Sequence, residues 1–169
     1  MITIHREKPE DVTAIHAVNE QAFGRAAEAE LVDKLRANGQ ATLSLVAVQG
    51  SEIVGHILFS PVTIASSEEV LAAVGLAPMA VRPEFQKQGI GSQLIERGLE
   101  QCRVAGQACV VVLGHPEYYP RFGFVPASRY GIRCEYDVPD EVFMIIELRD
   151  GALEGCAGIV KYQPEFNEV

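Results

Sequence analysis

The stretch Leu76-Ala-Pro-Met-Ala-Val-Arg-Pro-Glu-Phe-Gln-Lys-Gln-Gly-Ile-Gly-Ser-Gln-Leu-Ile95 decides how this chain is read. An apolar strand ends at Val81 and Arg82-Pro83 breaks it. Gln86-Lys87-Gln88-Gly89-Ile90-Gly91 then leads straight into a helix whose apolar positions are Ile90, Leu94, Ile95 and Leu99. Glycine costs helix stability, so two of them in a first turn need a reason. They leave backbone N–H groups uncovered at the positive end of the helix dipole, and an anion can approach closer than any Cβ would permit. Physically this is a phosphate cradle. What is missing narrows its kind. A P-loop needs Lys followed by Ser or Thr after the glycines, and none follows here. A Rossmann fingerprint needs a third glycine at the place of Leu94 and normally uses the first βα unit.

Working outward, Ile2–Arg6 alternates as a first strand, and Pro9 opens a helical segment with Glu10 and Asp11 in its first turn, where the dipole favours acids. Ile15, Val18, Ala22 and Phe23 follow at helical spacing. A second helix over Ala26–Ala37 turns Leu31, Val32 and Leu35 to one side and stops at Asn38-Gly39. Leu43–Val48 is a strand, Gln49-Gly50-Ser51 a hairpin turn, and Ile53–Ile64 a longer strand bending near Pro61. Ser66-Ser67-Glu68-Glu69 reads as a polar turn. Val70–Val81 is the next strand, broken by Gly75 and Pro78. The helix after the cradle runs over Gly89–Val104, and Cys109–Leu113 is a continuously apolar run of the kind a buried central strand shows. Past a loop rich in Pro, Tyr and Gly with a short helical turn, Val142–Leu148 and Gly158–Tyr162 close the fold. Hairpins plus one βαβ crossover predict a mixed α/β (α+β) sheet rather than a doubly wound parallel one, within a single domain over residues 1–169.

Length and composition fit this reading. A chain of 169 residues buries about 70% of its unfolded surface, and so needs no disulfide or metal to be stable. The net charge of −9 argues against nucleic-acid and anionic-membrane partners, which need a basic face. No apolar run is long enough to span a bilayer, and Met1–Val12 has no basic flank followed by an apolar core, so a cytoplasmic location is expected. Cys102, Cys109, Cys134 and Cys156 form no CxxC pair, and the four histidines are equally scattered. No metal site is expected, and all four thiols are expected reduced and buried.

The pattern Q-x-x-G-x-G between a strand and a helix, with Val81-Arg82-Pro83 just before it, resembles the acetyl-coenzyme A signature of the GNAT acetyltransferase superfamily. Gln86, Gly89 and Gly91 occupy its three defining positions. A second landmark, a Tyr four residues before Gly-Phe, stands here as Tyr119-Pro-Arg-Phe-Gly123-Phe124. The resemblance covers nearly the whole chain, because the element order β-α-α-β-β-β-α-β-α-β-β is that of the superfamily. It implies acetyl-CoA as co-substrate, with its pyrophosphate at Gln86, Lys87, Gln88, Gly89, Ile90, Gly91 and Ser92. It also implies a bulged strand at Pro78, which cannot donate to a ladder. That strand splays from its neighbour and exposes Met79, Ala80 and Val81 to the pantetheine amides, as an added strand would be exposed.

The chemistry the resemblance implies is direct acetyl transfer to a primary amine of a small molecule or peptide. An amine with a pKa of about 8 to 10.4 must lose a proton before it attacks. The Met79 N–H is the expected oxyanion donor, and Tyr119 the expected acid for the departing thiolate. Tyr118 is adjacent, but the Gly-Phe spacing selects Tyr119. The base is left open. Family members often use a Glu on the bulged strand, yet 74–81 contains no acid. Glu28, Glu30, His56, His115 and a water chain are all candidates. Cys109 lies in an apolar run with no His or Asp at readable spacing, which argues against a covalent thiolate route. The segment Arg133–Asp137 and the tail Lys161–Val169 exceed the family minimum. They either cover the acceptor cleft or form a homodimer contact, and the sequence leaves both open. Two other readings stand beside the enzyme. One is a non-catalytic acyl-CoA-binding module or sensor of the same fold, favoured by the missing acid and opposed by Tyr119. The other is a different nucleotide-binding enzyme, opposed by the missing P-loop Lys and third Rossmann Gly.

Overall fold

Pro9 starts a one-turn 3₁₀ segment, Pro9–Asp11, and the Asp11 carboxylate accepts the Lys8 N–H at 2.9 Å. This sets the entry angle of α1 (Val12–Phe23), which follows β1 (Ile2–Arg6). The computed structural model describes residues 1–67 and 69–169, so of the polar turn expected over 66–69, Glu68 lies outside the described residues. The remaining elements are α2 (Ala27–Ala37), β2 (Leu43–Gln49), β3 (Glu52–Ala65), β4 (Val70–Val81), α3 (Ile90–Val104), β5 (Cys109–Leu113), β6 (Val125–Pro126), β7 (Ile132–Cys134), β8 (Phe143–Glu147) and β9 (Gly158–Lys161). The sheet is mixed, as expected. The chain divides into two compact units, one of residues 1–60, 77–98 and 164–169 and one of residues 61–76 and 99–163.

In the first unit β1 pairs antiparallel with β2, and β2 with β3 from Leu43↔Phe59 to Ala47↔Gly55. The register shifts between Ala47 and Val48, a bulge, before the hairpin turn at Gly50, whose φ is +63°. Ile15, Leu31, Val32 and Leu35 pack on Val46 and Leu58 of the sheet. This is the helical spacing read from the sequence, with one correction. Phe23 is 40% exposed, and the buried position after Val18 belongs to Asn19. Asn19 is kept there by a polar partner on the sheet, described below. The tail is also specified: Phe166 packs against the α1–α2 cluster, and Glu165 and Glu168 bind Asn38 and Lys34.

In the second unit Val74–Leu76 of β4 pairs parallel with Val110–Val112 of β5, and β4 itself continues to Val81. β4 is assigned as one strand through Gly75 and Pro78, contrary to the break expected there. Pro78 interrupts the supply of N–H donors without ending the extended backbone. β8 pairs antiparallel with β5 and with β6, while β9 pairs with β3 and, in parallel, with β7. β6 and β7 were not expected. The helical element predicted before the last strands is a single 3₁₀ turn, Tyr119–Phe122. Cys109, Val111, Ile145, Phe143, Ile132 and Val160 form the core. Among the described residues no helix is long and apolar enough to cross a membrane.

Candidate active site

The cradle region of the first unit is fixed by how closely α3 lies on β3. A Cβ added at Gly55 would come within 3.1 Å of Leu94 and 3.2 Å of Ile90, and one at Gly98 would meet the Phe59 ring. Leu94 and Ile95 are wholly buried. The helix start therefore has a rigid seat, whereas the loop feeding it is exposed. The Arg82 N–H donates to the Val54 carbonyl at 2.9 Å, so β4 stays in the ladder up to its last residue. The chain then makes a 3₁₀ turn over Pro83–Phe85, with the Arg82 guanidinium over the Phe85 ring.

Three features shape the helix entry. The Gln86 side-chain amide donates to the Val81 carbonyl at 2.9 Å, tying the loop back to the strand end. Lys87 has φ +64°, and is the one non-glycine residue with positive φ among the described residues. Gly89 has φ +84°, and a Cβ there would meet nothing within 4 Å. The first helical bond runs from the Gln93 N–H to the Gly89 carbonyl at 3.1 Å. The N–H groups of Ile90 and Gly91 precede that bond, at the end of the helix where backbone donors point outward. Met79 and Val81 are half-buried, Ala80 is buried, Gln88 is exposed, and Gly91 and Ser92 are half-buried on α3. The structure thus gathers residues 79–81 and 86–92 on one strand end and one helix start.

Tyr119 lies in the second unit. The N–H groups of Tyr118 and Tyr119 both donate to the His115 carbonyl, at 3.1 and 3.3 Å, and Gly123, at φ +103°, closes the 3₁₀ turn onto Pro120. The Tyr119 ring is 7% exposed and meets Phe124 and Tyr118 edge-on, at 5.6 and 5.2 Å between centroids. Burial, with a smaller contribution from Tyr118, pushes its phenol up to about 12. It stays protonated at neutral pH, as a proton donor must.

The base candidates separate on geometry. Glu28 is buried, and its carboxylate is clamped by Arg25 through Nε at 2.9 Å and Nη2 at 2.5 Å. Those bonds hold the carboxyl below its ordinary range. Glu30 and His115 are exposed. His56 is wholly buried, with Nδ1 3.2 Å from Asn19 and Nε2 2.9 Å from Ser44, and burial pushes it down to about 4. The Ser44 hydroxyl donates to Glu7, which binds Arg36, so His56 belongs to an internal polar network. Sequence reading missed that network, because its members come from α1, α2, β2, β3 and the residue after β1. Burial pushes the Cys109 thiol up to about 12, which disfavours a thiolate. Cys102 and Cys109 are buried, but Cys134 and Cys156 are only half-buried, because they sit on the short β7 and the loop before β9. Among the described residues no three His, Cys, Asp or Glu side chains are grouped to hold a metal. A groove of about 520 Å³ in the first unit, bounded by Asp11, Gln21 and Ile53, meets the cradle loop only at Arg82.

Comparison with known proteins gives a consistent picture. The family model for an acetyltransferase (GNAT) domain matches residues 3–127. YhbS of Escherichia coli K12, an uncharacterized N-acetyltransferase, is 39% identical over 97% of this chain and 98% of its own. A second uncharacterized N-acetyltransferase of that organism, YjhQ, is 41% identical over 82% of this chain and 78% of its own. The crystal structure of Escherichia coli YhbS in complex with CoA superposes with a TM-score of 0.92, at 39% identity over 98% of this chain and 92% of that one. A GNAT family acetyltransferase from Brucella melitensis in complex with acetyl-CoA gives 0.81, at 37% identity over 98% of both chains. With the strand–loop–helix geometry around Gly89 and the match across residues 3–127, this chain belongs to the GNAT acetyltransferase family.

Proposed function

We propose that this protein transfers an acetyl group from acetyl-CoA directly to a primary amine of a small-molecule or peptide acceptor, and that residues 1–169 act as one acetyltransferase domain. The observation that carries the reading is the start of α3. The open space against Gly89, its φ of +84° and the amides of the first turn suit a pyrophosphate, and a side chain at Gly89 would fill that space. The relatives solved with CoA and acetyl-CoA support the same ligand. In this reading Gln86, Lys87, Gln88, Gly89, Ile90, Gly91 and Ser92 hold the pyrophosphate, and the backbone of Met79, Ala80 and Val81 pairs with the pantetheine amides.

The acyl group supplies an electrophilic carbonyl. The Met79 N–H is assigned to the negative charge that develops on its oxygen, where a fixed donor is worth more than in water. Tyr119 is assigned to protonate the departing thiolate, and its buried phenol keeps its proton across the working pH range. The amine's proton leaves through an exposed group or water, since Glu28 is committed to Arg25 and His56 to Ser44 and Asn19. The acid-free run 74–81 favours one other reading, a module that binds acyl-CoA without transfer. Thiol release from acetyl-CoA across a panel of primary amines tests the proposal. Amine-dependent release supports the enzyme, and tight CoA binding with no release from any amine supports the module.

A further inference from the structure

Gly114, which follows β5 and is absent from every assignment above, is held to glycine by the Tyr119 ring. A Cβ built on Gly114 would fall 2.8 Å from Cδ2 and 3.2 Å from Cζ of Tyr119, and closer still to Cε2. Cζ is the carbon that bears the hydroxyl. The backbone is not the reason for glycine, because Gly114 is not among the residues with positive φ. Its N–H donates to the Val142 carbonyl at 3.0 Å, so the residue is tied to the start of β8 and is not free to retreat. The turn closes back on it through the His115 carbonyl, which accepts the N–H groups of Tyr118 and Tyr119. The ring also makes edge contacts with Phe124 and Tyr118.

We infer that Gly114 is a positioning residue for acetyl transfer: its bare Cα is the floor on which the Tyr119 ring lies, and it sets where the phenol hydroxyl sits. The inference rests on the proposed role of Tyr119 as proton donor. Carbon atoms rest about 3.5–4.0 Å apart, so a single methyl at Gly114 drives the ring back by roughly an ångström. Displacements of that size at a reacting group cost about 100-fold in rate. The ring and the contacts that hold it all lie in the second unit, so the change is aimed at the placement of Tyr119.

The test is Gly114→Ala, alone and combined with Tyr119→Phe. Gly114→Ala is expected to lower kcat by about 10- to 100-fold with the acetyl-CoA KM within twofold of wild type. In the Tyr119→Phe background, which has no hydroxyl to misplace, the same change should lower kcat by less than threefold. Equal losses in both backgrounds, or none in either, would overturn the inference. A normal kcat for Tyr119→Phe overturns the proposed proton donor instead. In that case ring placement is read directly from the ¹³Cζ tyrosine resonance and phenol titration, which Gly114→Ala must shift toward an exposed tyrosine. If Gly114→Ala folds poorly, its melting temperature is compared in the Tyr119→Ala background, where the methyl has room. Destabilisation that vanishes there supports the contact, and destabilisation that persists overturns it.

Discussion

Acidifying the protein from pH 7 to pH 4 should remove about 3 kcal/mol of stability through His56 alone. The reason is the polarity of its hydrogen bonds. The Asn19 amide donates to the Ile15 carbonyl at 3.0 Å and, from the same nitrogen, toward His56 Nδ1 at 3.2 Å. Nδ1 is therefore the acceptor, and Nε2 carries the proton and faces Ser44 Oγ at 2.9 Å. The Ser44 hydroxyl donates its own hydrogen bond to Glu7 at 2.6 Å. A second proton on the ring would set N–H against N–H at Asn19 and place a charge where no water reaches. Burial pushes His56 from 6.5 to about 4, against a smaller upward pull from Glu7 and with a downward push from Arg36. At about 1.4 kcal/mol per pH unit, that fall amounts to about 3 kcal/mol. Between about 4 and 6.5 the unfolded chain binds a proton that the folded one refuses, so stability falls as pH falls through that window and is flat above it. For a domain holding about 5–15 kcal/mol in total this is a large fraction.

Glu7 acts lower in pH. Burial raises its carboxyl, but the hydrogen bonds from Arg36 and Ser44 outweigh that and hold it below 4.5, so its loss begins only where most of the His56 loss is complete. Urea unfolding at steps from pH 7 to 4.5, for wild type and His56→Gln, isolates the histidine. The wild type should lose more stability than the variant by most of that 3 kcal/mol. Parallel curves for the two proteins, or a His56 imidazole titrating near its ordinary value by NMR, would refute the reasoning.

Gly89→Glu fills the open space at the start of α3 and adds a negative charge. CoA affinity should fall at least about tenfold, or about 1.4 kcal/mol, by calorimetry on a protein with unchanged circular dichroism. Tyr119→Phe should lower kcat by about 100-fold with the acetyl-CoA KM little changed, and Tyr118→Phe by far less; a Tyr119→Phe enzyme within twofold of wild type removes that assignment. Gly158→Ala places a Cβ 2.7 Å from the Ala65 carbonyl carbon, backbone that cannot yield without opening the β3–β9 ladder. It should cost about 1–3 kcal/mol in urea unfolding.

What was legible in the sequence is what backbone chemistry decides locally. Gly89 at a helix start, Pro78 in a strand and Gly123 after Tyr119 each declare a conformation or a missing donor within a few residues, and the strand–loop–helix turn could be placed from them. The end of α1 was not legible, because periodicity assigns Phe23 to the core without knowing that β3 carries a buried imidazole. Asn19 is drawn inside by His56, 37 residues away, and the ring of Phe23 is left at the surface. β6 and β7 escape for a different reason: strands of two and three residues hold no period at all. Gly114 combines both difficulties. Its φ is ordinary, so no turn rule marks it, and its partner is the ring of Tyr119 rather than a backbone group. A glycine required by a neighbouring side chain looks in sequence like any loop glycine, and only the distance from its missing Cβ to that ring sets it apart.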